Sequence, residues 1–170
     1  RFFAHDIRAA GVRFDVPFAS EGAPTGRCMI MVTPDAHRTM ATYLGASVDL
    51  APEDIDRSVF ASASVTYLEG YLWDPPKAKE AMRVAIAEAI AHDHTVALTL
   101  SDSFCVERHR DEFLDLLDNR LGLLFANEAE ALALVGGDDI WDAVTRIQGR
   151  CPVIVVTRSD QGCLVITPEE

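Results

Sequence analysis

Asn127-Glu128-Ala129-Glu130 follows the apolar run Leu121–Ala126 and opens a helical pattern that continues to Val135. An amide and a carboxylate at the mouth of a sheet can hold a hydrated Mg²⁺ and polyphosphate oxygens. The same pair can also do nothing but cap a helix, with Asn127 as N-cap and Glu130 three residues on. Thr157-Arg158-Ser159-Asp160-Gln161-Gly162 separates two further apolar runs, Val153–Thr157 and Cys163–Thr167. Its hydroxyls and glycine suit a hairpin turn, or leave backbone N–H groups for phosphate. Glu69-Gly70-Tyr71-Leu72-Trp73-Asp74 and Thr99-Leu100-Ser101-Asp102 end two more strand-like runs on polar residues.

Other signals are plainer. No G-x-x-x-x-G-K-[ST] loop occurs, and no G-x-G-x-x-G follows a strand pattern, so neither standard phosphate-binding fingerprint is present. Gly136-Gly137 before Asp138-Asp139 reads as a helix-to-helix turn. His92-Asp93-His94 falls where a helix hands over to a strand and lacks a third ligand, so it reads as a solvated loop. Cys105 and His109 share i, i+4 spacing but find no partner in the local sequence. They read as a core cysteine and a surface histidine.

The elements that position these residues change in kind along the chain. Arg1–Ala10 reads as the end of a helix stopped by Gly11, feeding an alternating strand over Val12–Val16. A Gly/Pro/Ser turn follows, then strands over Arg27–Val32 and Arg38–Leu44, together an antiparallel flap. Pro52-Glu53-Asp54 suits a first helical turn. From residue 65 strands and helices alternate. Strands are expected over 65–70, 95–100, 121–126 and 153–157. Helical spacing runs through Ala78–Ile90, Val106–Leu121 and Ile140–Ile147, with Gly149 as a stop. Buried strands alternating with amphipathic helices imply an α/β fold, a parallel sheet covered on both faces. Ligands of such sheets collect at the carboxyl ends of the strands.

The 170 residues suffice for one ordinary domain with a real core, and 49% hydrophobic against 25% charged residues fits a globular chain. Fifteen basic residues against 27 acidic ones leave a net charge of −12. That balance argues against nucleic acid or an anionic membrane surface as partner, since both need a basic patch. No run approaches the ~18 apolar residues of a membrane span. The opening Arg1-Phe2-Phe3 reaches His5 and Asp6 too soon for a signal peptide. Four cysteines without a C-x-x-C pair read as reduced thiols of a cytoplasmic protein. The start in mid-helix and the stop just after a strand suggest an internal piece of a larger protein.

The order of these parts resembles the PfkB/ribokinase family of carbohydrate and nucleoside kinases over essentially the whole chain. Asn127-x-x-Glu130 resembles the family's N-x-x-E motif. Thr25-Gly26 before Arg27–Val32, with Asp35-x-x-Arg38-Thr39-Met40, resembles its β-flap, or lid. Val155-Val156-Thr157-Arg158-Ser159-x-x-Gly162 resembles its V-T-x-G-x-x-G segment, with Ser159 where glycine is usual. The resemblance implies a ribokinase-like α/β fold, a mostly parallel sheet sandwiched by helices with a small antiparallel flap. Residues 12–47 would be the lid, and 1–11 with 48–170 part of the kinase core. It also implies ATP- and Mg²⁺-dependent phosphorylation of a sugar or nucleoside hydroxyl. Asn127 and Glu130 would organise Mg²⁺ through water, and Asn127, Thr157, Ser159 and Gly162 would line the nucleotide side. Arg38 would neutralise charge on the transferring phosphate. Glu69 and Thr25 would face the substrate, and two copies would pair through the flap.

The family's N-terminal Gly-Gly segment is not in this chain, nor is its C-terminal G-A-G-D signature, which carries the anion hole and the catalytic base. This segment alone is therefore expected to be inactive. The leading reading is the central portion of a kinase, leaning toward adenosine-kinase-like members. The alternative is a non-catalytic nucleotide-binding or dimerising module. A Gly-Ala-Gly-Asp downstream in the parent protein separates the two.

Overall fold

A computed structural model describes residues 2–169, in two units that divide between Ser47 and Val48. In the first, helix α1 (Phe2–Ala9) ends at Gly11, whose φ of +84° suits a residue without Cβ. The strand expected over Val12–Val16 does not form. Residues 12–19 are irregular, because the backbone there is engaged otherwise. Arg8 donates to the Phe14 carbonyl from Nε at 2.9 Å. Phe3 packs edge-on against Phe14 with ring centroids 5.5 Å apart.

Strands β1 (Thr25–Val32) and β2 (Arg38–Gly45) pair antiparallel, with Cys28 opposite Thr42 and Val32 opposite Arg38. Gly45 closes the base of this hairpin at φ +56°, where a Cβ would lie 2.2 Å from the Pro24 carbonyl oxygen. A two-stranded ribbon buries little by itself. Met29, Ile30, Met31, Val32, Met40, Tyr43 and Leu44 are all exposed.

The second unit opens on short 3₁₀ turns, including Pro52–Asp54, where Asp54 accepts the Ala51 N–H at 2.9 Å. Then β3 (Val65–Glu69), α2 (Pro76–Ala91), β4 (Thr95–Thr99), α3 (Ser103–Asn119), β5 (Leu123–Asn127), α4 (Glu128–Val135), α5 (Ile140–Ile147), β6 (Val153–Thr157) and β7 (Cys163–Ile166) follow in order. The sheet runs β3-β4-β5-β6-β7, parallel through β6 with β7 antiparallel. Every parallel step moves in the same direction, so right-handed crossovers place the connecting helices on one side.

Burial agrees with that geometry. Leu68, Val96, Leu98, Leu124, Ala126, Ile154, Val156 and Ile166 point to the helices and form the core with Ala81, Ala85, Val106, Phe113 and Leu117. On the opposite face Val65, Tyr67 and Val165 are exposed, and Leu123, Phe125, Val153 and Val155 are half-buried. The expected helical cover is thus met on one face within this unit. No helix among the described residues is long and apolar enough to cross a membrane.

The two faces predict unequal mutational costs. Ile154→Ala, on the helix-covered face, is expected to destabilise by about 2–5 kcal/mol in urea unfolding. Val165→Ala, on the open face of the adjoining strand, is expected to cost under ~1 kcal/mol.

Candidate functional site

Strand β5 alternates buried Leu124 and Ala126 with half-buried Leu123 and Phe125, then ends on exposed Asn127. Asn127 is extended (φ −90°, ψ 173°) and caps α4. Its side-chain oxygen accepts the Glu130 N–H at 2.8 Å, while Glu130 accepts the Asn127 N–H at 2.9 Å and the Asn127 amide at 2.7 Å. Glu130 is 4% exposed, and a carboxylate so placed needs such donors. Burial raises its pKa above the ordinary value, the Asn127 backbone bond opposes that shift, and the charge of Asp102 adds to it.

Thr157 lies opposite Asn127 across the β5–β6 ladder, and its hydroxyl donates to the Ala126 carbonyl at 3.4 Å. The next residues form the hairpin turn to β7. The Arg158 N–H donates to the Gly162 carbonyl at 2.8 Å. Ser159 and Gly162 stand at φ +53° and +84°. Serine therefore holds the backbone region that favours glycine, at the position where the resemblance expects glycine. Arg158 folds over α4 and α5, donating to Glu128 at 3.1 Å with its guanidinium 5.5 Å from the centre of the Trp141 ring.

Two further strand ends complete the rim. Glu69, exposed, ends β3 opposite Thr99 of β4. Beyond it a 3₁₀ turn, Gly70–Trp73, crosses so close to β4 that a Cβ on Gly70 would lie 2.5 Å from the Leu100 carbonyl oxygen. The Tyr71 N–H donates to Ser101 Oγ at 3.3 Å. Asp102 caps α3 by accepting the Cys105 N–H at 2.6 Å. Burial, then the Asp102 carboxylate and the Glu130 charge, push the Tyr71 phenol up to about 12. Tyr71, Asp102 and Glu130 therefore share one electrostatic patch.

Asn127, Glu130, Thr157, Ser159 and Gly162 are thus gathered at the carboxyl ends of β5 and β6, with Glu69 on the same edge at β3. Thr25 and Arg38 belong to the other unit. They sit at opposite ends of its ladder, Thr25 opposite Gly45 and Arg38 opposite Val32. The sequence placed Asp102 at a strand end but pointed to no role for it. Its influence on Tyr71 and Glu130 comes from elements far apart in the chain. Cys105 and His109 do have a partner, contrary to expectation: Asp74, which ends the Gly70–Trp73 turn.

The oxygen-rich rim suits a hard, hydrated cation. Both Glu130 carboxylate oxygens are engaged by Asn127, which fits influence on such an ion through water rather than direct ligation.

A parallel sheet with polar residues collected along its carboxyl edge places this chain among α/β proteins, whose ligands bind at that edge. Residues 1–170 match the pfkB family of carbohydrate kinases, and the chain belongs to that family. An adenosine kinase from Sinorhizobium meliloti is similar in structure, with a TM-score of 0.93 and 48% identity over 99% of this chain and 52% of that one. A probable sugar kinase from Rhizobium etli CFN 42 matches at the same TM-score of 0.93 and 48% identity, over 99% of this chain and 51% of its own. The guanosine-inosine kinase of Escherichia coli K12 is 32% identical over 119 residues, 68% of this chain and 27% of that protein. The chain thus spans about half the length of the two solved structures, and less of the curated relative.

Glu130→Gln keeps the shape but sets an amide N–H₂ against a donor of Asn127, at an expected cost of about 1–3 kcal/mol. A carboxyl with a raised folded-state pKa adds stability below its ordinary value, and that stability fades as pH rises through the raised one. The difference between wild type and Glu130→Gln in urea unfolding should therefore shrink as pH climbs from about 4.5. Ser159→Gly removes a left-handed serine and is expected to stabilise by about 0.5–1 kcal/mol, read from the same unfolding curves.

Proposed function

We propose that this chain is the central part of a nucleoside or sugar kinase that moves the γ-phosphoryl group of ATP to a hydroxyl of its substrate. The observation that carries the reading is the Asn127–Glu130 pair, locked by reciprocal hydrogen bonds beside Thr157 on the sheet's carboxyl edge, in a chain of the pfkB family. Similarity to an adenosine kinase and a guanosine-inosine kinase favours a nucleoside as acceptor.

In this reading ATP brings the phosphoryl group, and Mg²⁺ neutralises its charge. The chain supplies orientation. Asn127 and Glu130 hold the water shell of the cation, with Glu130 kept in place by two hydrogen bonds. Thr157, Ser159 and Gly162 line the nucleotide side, where the turn exposes hydroxyls and backbone N–H groups. Glu69 and Thr25 face the acceptor. Residues 12–47 act as a lid over the core formed by 1–11 and 48–170. Arg38 reaches the transferring phosphate from that lid, and lid closure keeps water out. In this reading the base that takes the acceptor proton comes from the family's Gly-Ala-Gly-Asp signature.

The exposed apolar flap, with Met29 at 73% and Met31 at 61%, pairs with a second copy in this reading. The protein works in the cytoplasm on a small molecule, without nucleic acid or membrane.

The test is ADP release by the full-length protein with Mg²⁺ and ATP, against adenosine, guanosine, inosine and a sugar panel. One acceptor should stimulate turnover. Asn127→Ala and Arg38→Ala should each lower kcat by about 10²-fold or more. Nucleotide binding with no acceptor-dependent turnover would instead support the non-catalytic module.

A further inference from the structure

Beneath the rim, Asp74, Cys105 and His109 bring a carboxylate oxygen, a thiol sulfur and an imidazole nitrogen within 4.8 Å of one another. Cys105 and His109 project from successive turns of α3, and Asp74 meets them from the end of the Gly70–Trp73 turn. Cys105 is fully buried, with its thiol donating to the Gly70 carbonyl at 3.3 Å. The His109 side chain is 14% exposed, and its Nε2 lies 2.8 Å from Asp74 Oδ1.

The local backbone departs from regularity at the same place. His109 leaves helical geometry (φ −122°, ψ 21°), kinking α3. Its ring packs edge-on against Phe113 and its second nitrogen, Nδ1, lies 3.7 Å from Glu112 Oε1. Glu112 stands on the side of the far nitrogen from which a carboxylate orients a metal-binding imidazole once it closes to hydrogen-bond distance. Glu112 is itself held by Lys79 at 2.6 Å.

We propose that Asp74, Cys105 and His109 form a Zn²⁺ site that ties the Gly70–Trp73 turn to the first half of α3. Sulfur and imidazole ligands select a borderline-soft ion over Mg²⁺, and three protein ligands leave a fourth position for water. Without the ion, the Cys105 S–H donates to the Gly70 carbonyl. On binding, the S–H proton leaves to solvent and a Zn–S bond forms. His109, whose Nε2–H faces Asp74 Oδ1, moves that ring proton to Nδ1 on the Glu112 side and binds the metal through the freed Nε2. Asp74 Oδ1 turns from that N–H to the metal. Arg108 grips both Asp74 oxygens, Nε 3.0 Å from Oδ1 and Nη2 2.7 Å from Oδ2; on binding, the Nε contact yields to the metal and the Oδ2 bond holds the carboxylate in place. The site needs no part of the phosphoryl-transfer reading.

The test uses the full-length protein with exposed Cys28 and Cys163 replaced by serine, in excess Mg²⁺ to occupy oxygen-only sites. Zn²⁺ titration against a chromophoric chelator should give one ion and one released proton per chain. Co²⁺ in its place should show a thiolate charge-transfer band in the near ultraviolet. Cys105→Ser should abolish the band, and Cys105→Ser and His109→Gln should each weaken Zn²⁺ binding by at least ~100-fold. Where a variant fails to fold, the Co²⁺ spectrum of the Cys28→Ser/Cys163→Ser protein decides alone. A Co²⁺ complex without a thiolate band, or Zn²⁺ affinity indifferent to both substitutions, overturns the site.

Discussion

A carboxylate nearly excluded from water is tolerable only where donors meet both of its oxygens. Glu130 has that arrangement, and much of the rim depends on it. Its oxygens take the backbone and side-chain N–H groups of Asn127, and its own N–H returns to Asn127. The exchange fixes where β5 stops and α4 begins. It thereby sets the height at which Asn127 and, across the ladder, Thr157 emerge from the sheet. The negative charge held there is felt by Tyr71 on a turn two strands away. One junction thus sets both the shape and the potential of the edge.

The sheet is built as a one-sided layer. Residues facing the helices are aliphatic and closed off, whereas the reverse face carries Tyr67 and Phe125. Those rings meet at 6.4 Å across the strand bearing buried Ala97. Apolar residues on that reverse face explain why each strand reads as a continuous apolar run rather than an alternating one.

Most of this was legible in the chain because the signals were local. The Asn127–Glu130 spacing announced a capping box, and one formed. The helix-period runs became α2, α3 and α5, and Gly136-Gly137 became the turn between α4 and α5, both at positive φ. Val12–Val16 misled for the opposite reason. Its alternation is strand-like, but a strand needs a neighbour, and Arg8 took the Phe14 carbonyl instead. Cys105 and His109 looked partnerless because Asp74 arrives from another element through a turn that only Gly70 permits. Helical spacing could place the two on one face of α3 and could say nothing of what faced them.

The strand order of the second unit has a consequence for how that unit is made. Each strand docks beside the one synthesised just before it: Val65 with Thr95, Ala97 with Leu123, Leu123 with Val153, and Ile154 with Ile166. Among the described residues, no strand of this sheet must wait for a distant segment or be inserted between two already paired. Loop-closure entropy is met in short, similar instalments. The sheet can therefore grow at a single edge, in the direction in which the ribosome delivers the chain.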